Sequence, residues 1–390
     1  MPSSEDLQQA AAVTRPPRHH FFGYYDKFPW DATGRYLLSL QTQFIDRPPN
    51  GADRAVIGLI DLQDNNRWRA LDETTAWCWQ QGTMLQWLGT ASDRLIIYNQ
   101  RSGDRFVSVI RDVKTGETRT LPLPVYAVTR DGKSAISVNF ARLARVRPGY
   151  GYTGLPDPFE DDNEPEQDGL FSMDLTSGAH RLVVSTRQMA RLNPVKSMTG
   201  AKHRLKHVQY NPDGTRFVFL HRWKLESVQW PWYTRMYTAN ADGSDLCFLA
   251  GDECVSHFDW KNSRQILAWA KHDQAGTRFY LFTDRTRELE VLGEGVLTED
   301  GHCLFSPDGR WLLSDTYPDK QRMRTLILFR LSDGKRFDVG RFFAPAELDG
   351  EIRCDLHPRW SRDGKQVCFD SVHEGSRQVY VLDVAVLVGR

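Results

Sequence analysis

The sequence predicts an all-β fold, a seven-bladed propeller of four-stranded antiparallel blades, on two observations. The first is a phrase that returns. His207 to Gly214 reads His-Val-Gln-Tyr-Asn-Pro-Asp-Gly, His302 to Gly309 reads His-Cys-Leu-Phe-Ser-Pro-Asp-Gly, and His357 to Gly364 reads His-Pro-Arg-Trp-Ser-Arg-Asp-Gly. A degraded copy runs from His257 to Arg264. In every copy an aromatic follows the histidine by three residues, and the histidines step by 50, 45 and 55 residues, the period of a repeat fold. The second observation is the pattern of turns and apolar runs after each phrase. Pro-Asp-Gly is turn chemistry, and a short apolar run comes after it, such as Phe217-Val218-Phe219-Leu220 or Trp311-Leu312-Leu313. An aromatic strand, a tight turn and a second apolar strand make a hairpin. A third run, such as Thr325 to Phe329, and a second Asp-Gly turn complete four strands in about 45 residues, the size of one blade. A β-sandwich would not repeat a His-x-x-aromatic phrase at a fixed offset from its turn.

Taken in order, residues 1–18 are polar and expected to be loosely held, and residues 19–390 form one propeller domain. Blade 1 opens at His19-His20-Phe21-Phe22-Gly23-Tyr24-Tyr25-Asp26 and turns at Asp31 to Gly34. Blade 2 opens at Trp77-Cys78-Trp79-Gln80-Gln81-Gly82, and its second strand ends at Tyr98-Asn99-Gln100-Arg101. Blade 3 opens at Tyr126 and leaves its second strand at Asn139-Phe140-Ala141-Arg142. About 25 residues then interrupt the repeat, with an acidic run from Glu160 to Glu166, a length that belongs to functional or disordered loops. Blades 4 to 7 follow from His207, His257, His302 and His357. Closing the ring requires the first and last blades to pair, and the segment before Gly23 is the candidate strand for blade 7.

The bulk numbers exclude several classes. Lys+Arg and Asp+Glu both total 50, so no global field draws nucleic acid or an anionic membrane. No apolar run approaches the ~20 residues of a membrane span. The N-terminus lacks a basic and apolar leader, so the chain as written is expected in the cytoplasm, or outside the cell if a leader has been removed. The six cysteines form no Cys-x-x-Cys pair and read as buried free thiols. A monomer is expected.

In a propeller, the start of each first strand and the end of each second strand reach the same mouth. Those positions give His19 and His20, Gln81 and Asn99, Tyr126 and Arg142, His207 with His221 and Arg222, then His257, His302 and His357. Histidines concentrate in the later blades. Imidazoles converging from neighbouring strands, His207, His257, His302 and His357, suit a divalent transition metal on the axis, zinc or manganese, with oxygen-seeking calcium less suited. An arginine fork such as that of Arg142 suits a uronate carboxylate, with Tyr126 beside it as base or acid. Trp230, Trp232 and Tyr233 could stack on sugar rings or pack together.

With those residues in view, the chain resembles the seven-bladed propeller polysaccharide lyases, including the oligogalacturonate lyases. That resemblance implies a metal held by histidines of successive blades, onto which His257, His302 and His357 map, with His207 a further candidate. The front half, with His-His-Phe-Phe-Gly-Tyr-Tyr-Asp, Trp-Gln-Gln-Gly and Asn-Phe-Ala-Arg, resembles the branch holding ulvan lyases and the enzymes that cut rhamnose from glucuronate. Gln81 and Asn99 stand where ulvan lyases place histidines, which argues against an ulvan lyase and implies His19 or His20 as the proton-transfer group. The expectation is β-elimination at a uronic acid in an acidic oligosaccharide, rhamnose–glucuronate type favoured. Arg142 would neutralise the carboxylate, Tyr126 or His20 would act as base and the other as acid, and His19, Gln81, Asn99, His221 and Arg222 would bind sugar. The metal would be structural. A rhamnosidase-like glycoside hydrolase on the same linkage and a non-catalytic binding propeller are the alternatives.

Overall fold

Each Asp-Gly turn closes its hairpin by the same local chemistry. Gly214, Gly309 and Gly364 have φ of 73°, 68° and 70°, where a side chain would be strained. The preceding aspartate accepts from the backbone N–H two residues on, as Asp213 does from Thr215 and Asp363 from Lys365. Asn211, Ser306 and Ser361 then accept from the first N–H of the second strand, at Arg216, Trp311 and Gln366. The bonds that close each turn therefore lie within its own hairpin.

In the computed structural model, which describes residues 9–89, 92–227, 232–251 and 254–389, these hairpins belong to seven four-stranded antiparallel sheets. The chain is a seven-bladed β-propeller. In three blades the aromatic at the phrase position fastens the blade to the one before. Trp260 Nε1 donates to Gln209 O, Trp360 Nε1 to Leu304 O and Trp87 Nε1 to Pro29 O, three equivalent backbone positions. Apolar side chains fill the gaps between blades, so the core is a series of clusters straddling neighbours rather than one centre.

The ring closes through the N-terminus. Ala11 and Ala12 pair with Val381 and Tyr380, forming the fourth strand of blade 7. Val13 N donates to Val379 O at 2.8 Å, and Val379 N to Thr14 Oγ1 at 3.0 Å. Residues 11–14 of the expected loose segment are thus held, and the strand partner expected before Gly23 is in place. The propeller therefore takes in residues before 19, because the backbone of Ala11 and Ala12 pairs with the last blade and Val13 is buried beside it.

Two departures from the regular repeat position the site. After the strand His19–Phe21, residues Gly23 to Lys27 run inward to the axis. Arg359 fastens them, donating to Gly23 O at 2.7 Å, while Asp370 accepts from Phe22 N and pairs with Arg359 at 2.9 Å. Gly23 has φ 122°, and a Cβ there would lie 2.8 Å from the Gln81 backbone, so only glycine fits. In blade 3 the second strand ends at Ser137, and a helix, Phe140–Val146, follows, capped by Asn139. The expected strand exit at Arg142 is a helical turn instead.

Candidate functional site

The four phrase histidines do converge. Ring centroids of His257 and His302 are 4.1 Å apart, those of His302 and His357 4.2 Å, and those of His207 and His257 6.5 Å. Local backbone aims them. His207 lies where the register of the inner strand Lys202–Tyr210 shifts, and His257 at the same shift in Val255–Trp260. Such bulges turn a side chain that would otherwise alternate along the strand. His207 and His357 also have φ of 52° and 42°, a left-handed conformation that non-glycine residues keep only where surroundings enforce it.

His302, His357 and Asp355 offer ligand atoms within 4.8 Å of one another, all buried. His302 Nδ1 bonds to both oxygens of Asp315, at 2.9 and 3.0 Å, which leaves Nε2 buried without a partner. His357 Nε2 is likewise unpartnered. Burial drives the Asp355 carboxyl up, but Arg353 and Arg324 more than offset this and hold it well below the usual carboxylate range, so it is ionised. Two imidazole nitrogens and one carboxylate, with a carboxylate behind one histidine, form a donor set suited to a divalent transition metal. These residues fit an ion. His257 and His207 lie outside the group. His257 Nδ1 is held by Asp300 at 3.0 Å, and His207 Nε2 bonds the Tyr24 hydroxyl at 2.7 Å. Of the four expected histidines, His302 and His357 come within ligand reach of one another and of Asp355, while His207 and His257 are held by other partners. Asp355, two residues before His357, is a candidate ligand that the local Asp-Leu-His spacing could have revealed.

Beside the histidines lies a group of cations that the sequence does not announce, apart from Arg222. On the paired strands Lys202–Tyr210 and Arg216–Lys224, Arg204 and Arg222 face each other, with Lys206 along the same strand as Arg204. Arg204 is 1% exposed and Lys206 0%. Among the described residues, all three Arg204 side-chain nitrogens, Lys206 Nζ, Arg222 Nε and Arg147 Nε lack hydrogen-bond partners. Burial, and then repulsion from the neighbouring cations, pushes the Arg204, Lys206 and Arg222 pKa values down. Rings take the place of acids. Lys206 Nζ sits 3.7 Å from the Tyr150 centroid, and Arg147 stacks 4.3 Å over Trp232. Tyr150 connects the two halves of the site, for its hydroxyl accepts from Arg353, which in turn holds Asp355.

The front-half residues are not brought together as expected. Arg142 is 2% exposed and uses all five donors on His203 O, Asp157 Oδ2, Phe159 O, Asp162 O and Asn163 O. It fastens the blade 3 insertion to blade 4 and has no donor left for a substrate. His20 bonds Gln378 and Gln41 through its two nitrogens and packs edge-on to Trp68, at the seam of blades 1 and 7. Counted back from the turn glycine Gly34, the residue matching the phrase histidines is Lys27, not His20. Lys27 lies at the axis, paired with Asp26 at 2.7 Å and 5.5 Å from the Tyr126 centroid. His19 pairs with Thr42 in the same seam strand as His20.

Asn99 spends its amide on Val125 and Tyr152. Gln81 donates to the Tyr126 hydroxyl at 2.7 Å, and burial raises the Tyr126 pKa well above the usual phenol value. His221 bonds His203 at 2.8 Å, on the strand position next to Arg222. Of the expected aromatics, Trp232 covers the cations and Tyr233 stacks on Trp223, while Trp230 lies outside the described residues. Tyr24 and Tyr25, wedged between the histidines, belong to the site and were legible only as a strand opening.

No protein-family model matches the chain, and no curated protein does. Solved structures do. An oligogalacturonate lyase from Vibrio parahaemolyticus superposes with a TM-score of 0.67 at 17% identity, covering 97% of each chain. An oligogalacturonate lyase in complex with manganese gives 0.66 at 17% identity, over 97% of this chain and 96% of that one. The β-propeller domain of the Trilobed protease from Pyrococcus furiosus, described as an open velcro topology, gives 0.53 at 11% identity over 93% of each. At these identities the likeness is one of fold. No helix among the described residues is long and apolar enough to cross a membrane.

Proposed function

We propose that the protein is a lyase that cleaves an acidic oligosaccharide by β-elimination next to a uronic acid. One observation carries this reading: the buried cations Arg204, Lys206 and Arg222, unpaired with any carboxylate among the described residues, adjoin a cluster of oriented histidines. Buried charges without partners are costly, and a ligand's carboxylate is what they are suited to receive. The two oligogalacturonate lyases of like fold support the class.

In this reading the cations hold the uronate carboxylate and stabilise the negative charge that develops as the neighbouring C5–H is removed. His257 takes that proton. Its Nδ1 is held by Asp300, which fixes the ring and leaves Nε2 as acceptor, and burial keeps the imidazole below its ordinary pKa and hence neutral. The C5–H electrons form the new C4–C5 double bond, and the C4–oxygen bond breaks. Tyr24, its hydroxyl bonded to His207, is placed to return a proton to the departing oxygen. His302, His357 and Asp355 would hold a divalent ion, which when bound would supply fixed positive charge beside these groups.

Rhamnose–glucuronate oligomers are the first substrates to try and galacturonate oligomers the second. The expected result is a rise in ultraviolet absorbance from the conjugated product, with His257→Ala slower by roughly a hundredfold or more. Release of reducing sugar without that absorbance would make the protein a hydrolase, and no release from any acidic oligomer would make it a binding propeller.

A further inference from the structure

The cation group holds more charge and more unused donors than one carboxylate can accept. Six buried nitrogens, from Arg147, Arg204, Lys206 and Arg222, have no hydrogen-bond partner among the described residues. One acid, Glu351, lies beside Arg147. A carboxylate brings one charge and about four lone-pair positions. A tetrahedral dianion brings two charges on several oxygens, which matches arginine forks approaching from different directions. Arg204 and Arg222 come from two paired strands, Lys206 lies one alternation along, and Arg147 arrives from the end of the blade 3 helix.

We propose that this cluster is a binding site for a tetrahedral oxyanion, sulfate or phosphate, occupied when no sugar is bound and competing with substrate for the same cations. The competition rests on the function proposed above; the binding does not. The dianion is either a free inorganic ion or an ester on a sugar, and separate titrations distinguish the two.

The protein is melted and titrated calorimetrically with inorganic sulfate, inorganic phosphate, a sulfated monosaccharide, and potassium chloride at matched ionic strength. Sulfate or phosphate should raise Tm by about 3 °C or more at about a hundred times Kd, with chloride doing nothing comparable. Tighter binding of the sulfated sugar than of free sulfate would assign the site to an ester. Arg204→Met should raise the Tm of the anion-free protein, since an unpaired buried charge is removed, and weaken anion binding by at least about tenfold. Should that variant not fold, Arg222→Gln serves the same comparison. The proposal is overturned if the anions stabilise no more than chloride does, or if either folded variant binds them as the parent does. In kinetics, sulfate should raise KM and leave kcat unchanged. Anion binding without cleavage of any uronate would sink the lyase reading and leave the site standing. Cleavage with no anion binding and no change in KM would sink the site alone.

Discussion

Arg142 shows what a residue's neighbours do to its role. From the sequence it stands at a strand exit, free to grip a carboxylate. In the fold it sits on a helix, buried, with all five donors satisfied. Arg142→Ala should therefore cost about 3 kcal/mol or more of stability, read as a lower midpoint in urea, because Asp157 and four carbonyls lose their donor. A loss of activity with an unchanged midpoint would restore it to the site. The histidines were legible because the residue is rare and its offset from the turn constant. Arg204 and Lys206 were not, because arginine and lysine are common, and nothing in a linear sequence shows that Trp232 and Tyr150 close over them. His302→Ala tests the metal group directly. It should abolish stoichiometric divalent-metal binding by elemental analysis, whereas His257→Ala should retain it. Equal retention by both variants would place the ion elsewhere.

At the scale of the element, the repeated phrase predicts strands well wherever it survives, since Asp-Gly chemistry closes each hairpin locally. It misleads where the chain leaves the repeat. Counting blade 1 from its first histidines put His20 at the mouth, whereas the turn at Gly34 marks Trp30 as the inner aromatic and Lys27 as the axial residue. The helix after Ser137 had no periodic signal, being only seven residues long, and its start rests on one capping bond from Asn139. The N-terminal strand is shorter still, yet it closes the ring. Removing residues 1–14 strips Ala11, Ala12 and buried Val13 from blade 7 and leaves Val379 N without Thr14. Loss of the Val13 side chain alone is worth about 2 kcal/mol. The truncated protein should melt several degrees lower and expose the edge of blade 7 to exchange first. Unchanged melting would mean that the first three blade 7 strands suffice.

For the whole molecule, pH and metal act on the same equilibrium and can be separated by their signs. Burial lowers His20 and His203 to about 4 and holds His221 well below its ordinary value, so each is neutral in the folded state and takes up protons more readily when unfolded. Their contribution is present above pH ~6.5 and is lost as pH falls toward 4, by up to roughly 3 kcal/mol each for His20 and His203. Asp168 and Asp259, raised by burial to about 6 and about 7, act in the opposite sense. Each stays protonated in the folded state only below its raised value, and their contribution is lost as pH rises through those values. Five histidine and aspartate groups thus oppose one another between pH 4 and 7, with the histidines the larger number. A metal at His302, His357 and Asp355 adds stability by mass action, RT ln(1 + [L]/Kd), about 3–4 kcal/mol at a hundred to a thousand times Kd. That gain requires neutral imidazole and so fades on acidification as well. The measurement is Tm against pH, with and without a chelator. With metal present the curve should lie higher near neutrality and meet the chelated curve near pH 4, while the chelated protein still loses stability below 6.5 through His20, His203 and His221. Superposed curves at pH 7, on adding manganese or zinc, would remove the ion from the axis; a chelated curve flat between 6.5 and 4 would show the buried histidines balanced by the two aspartates.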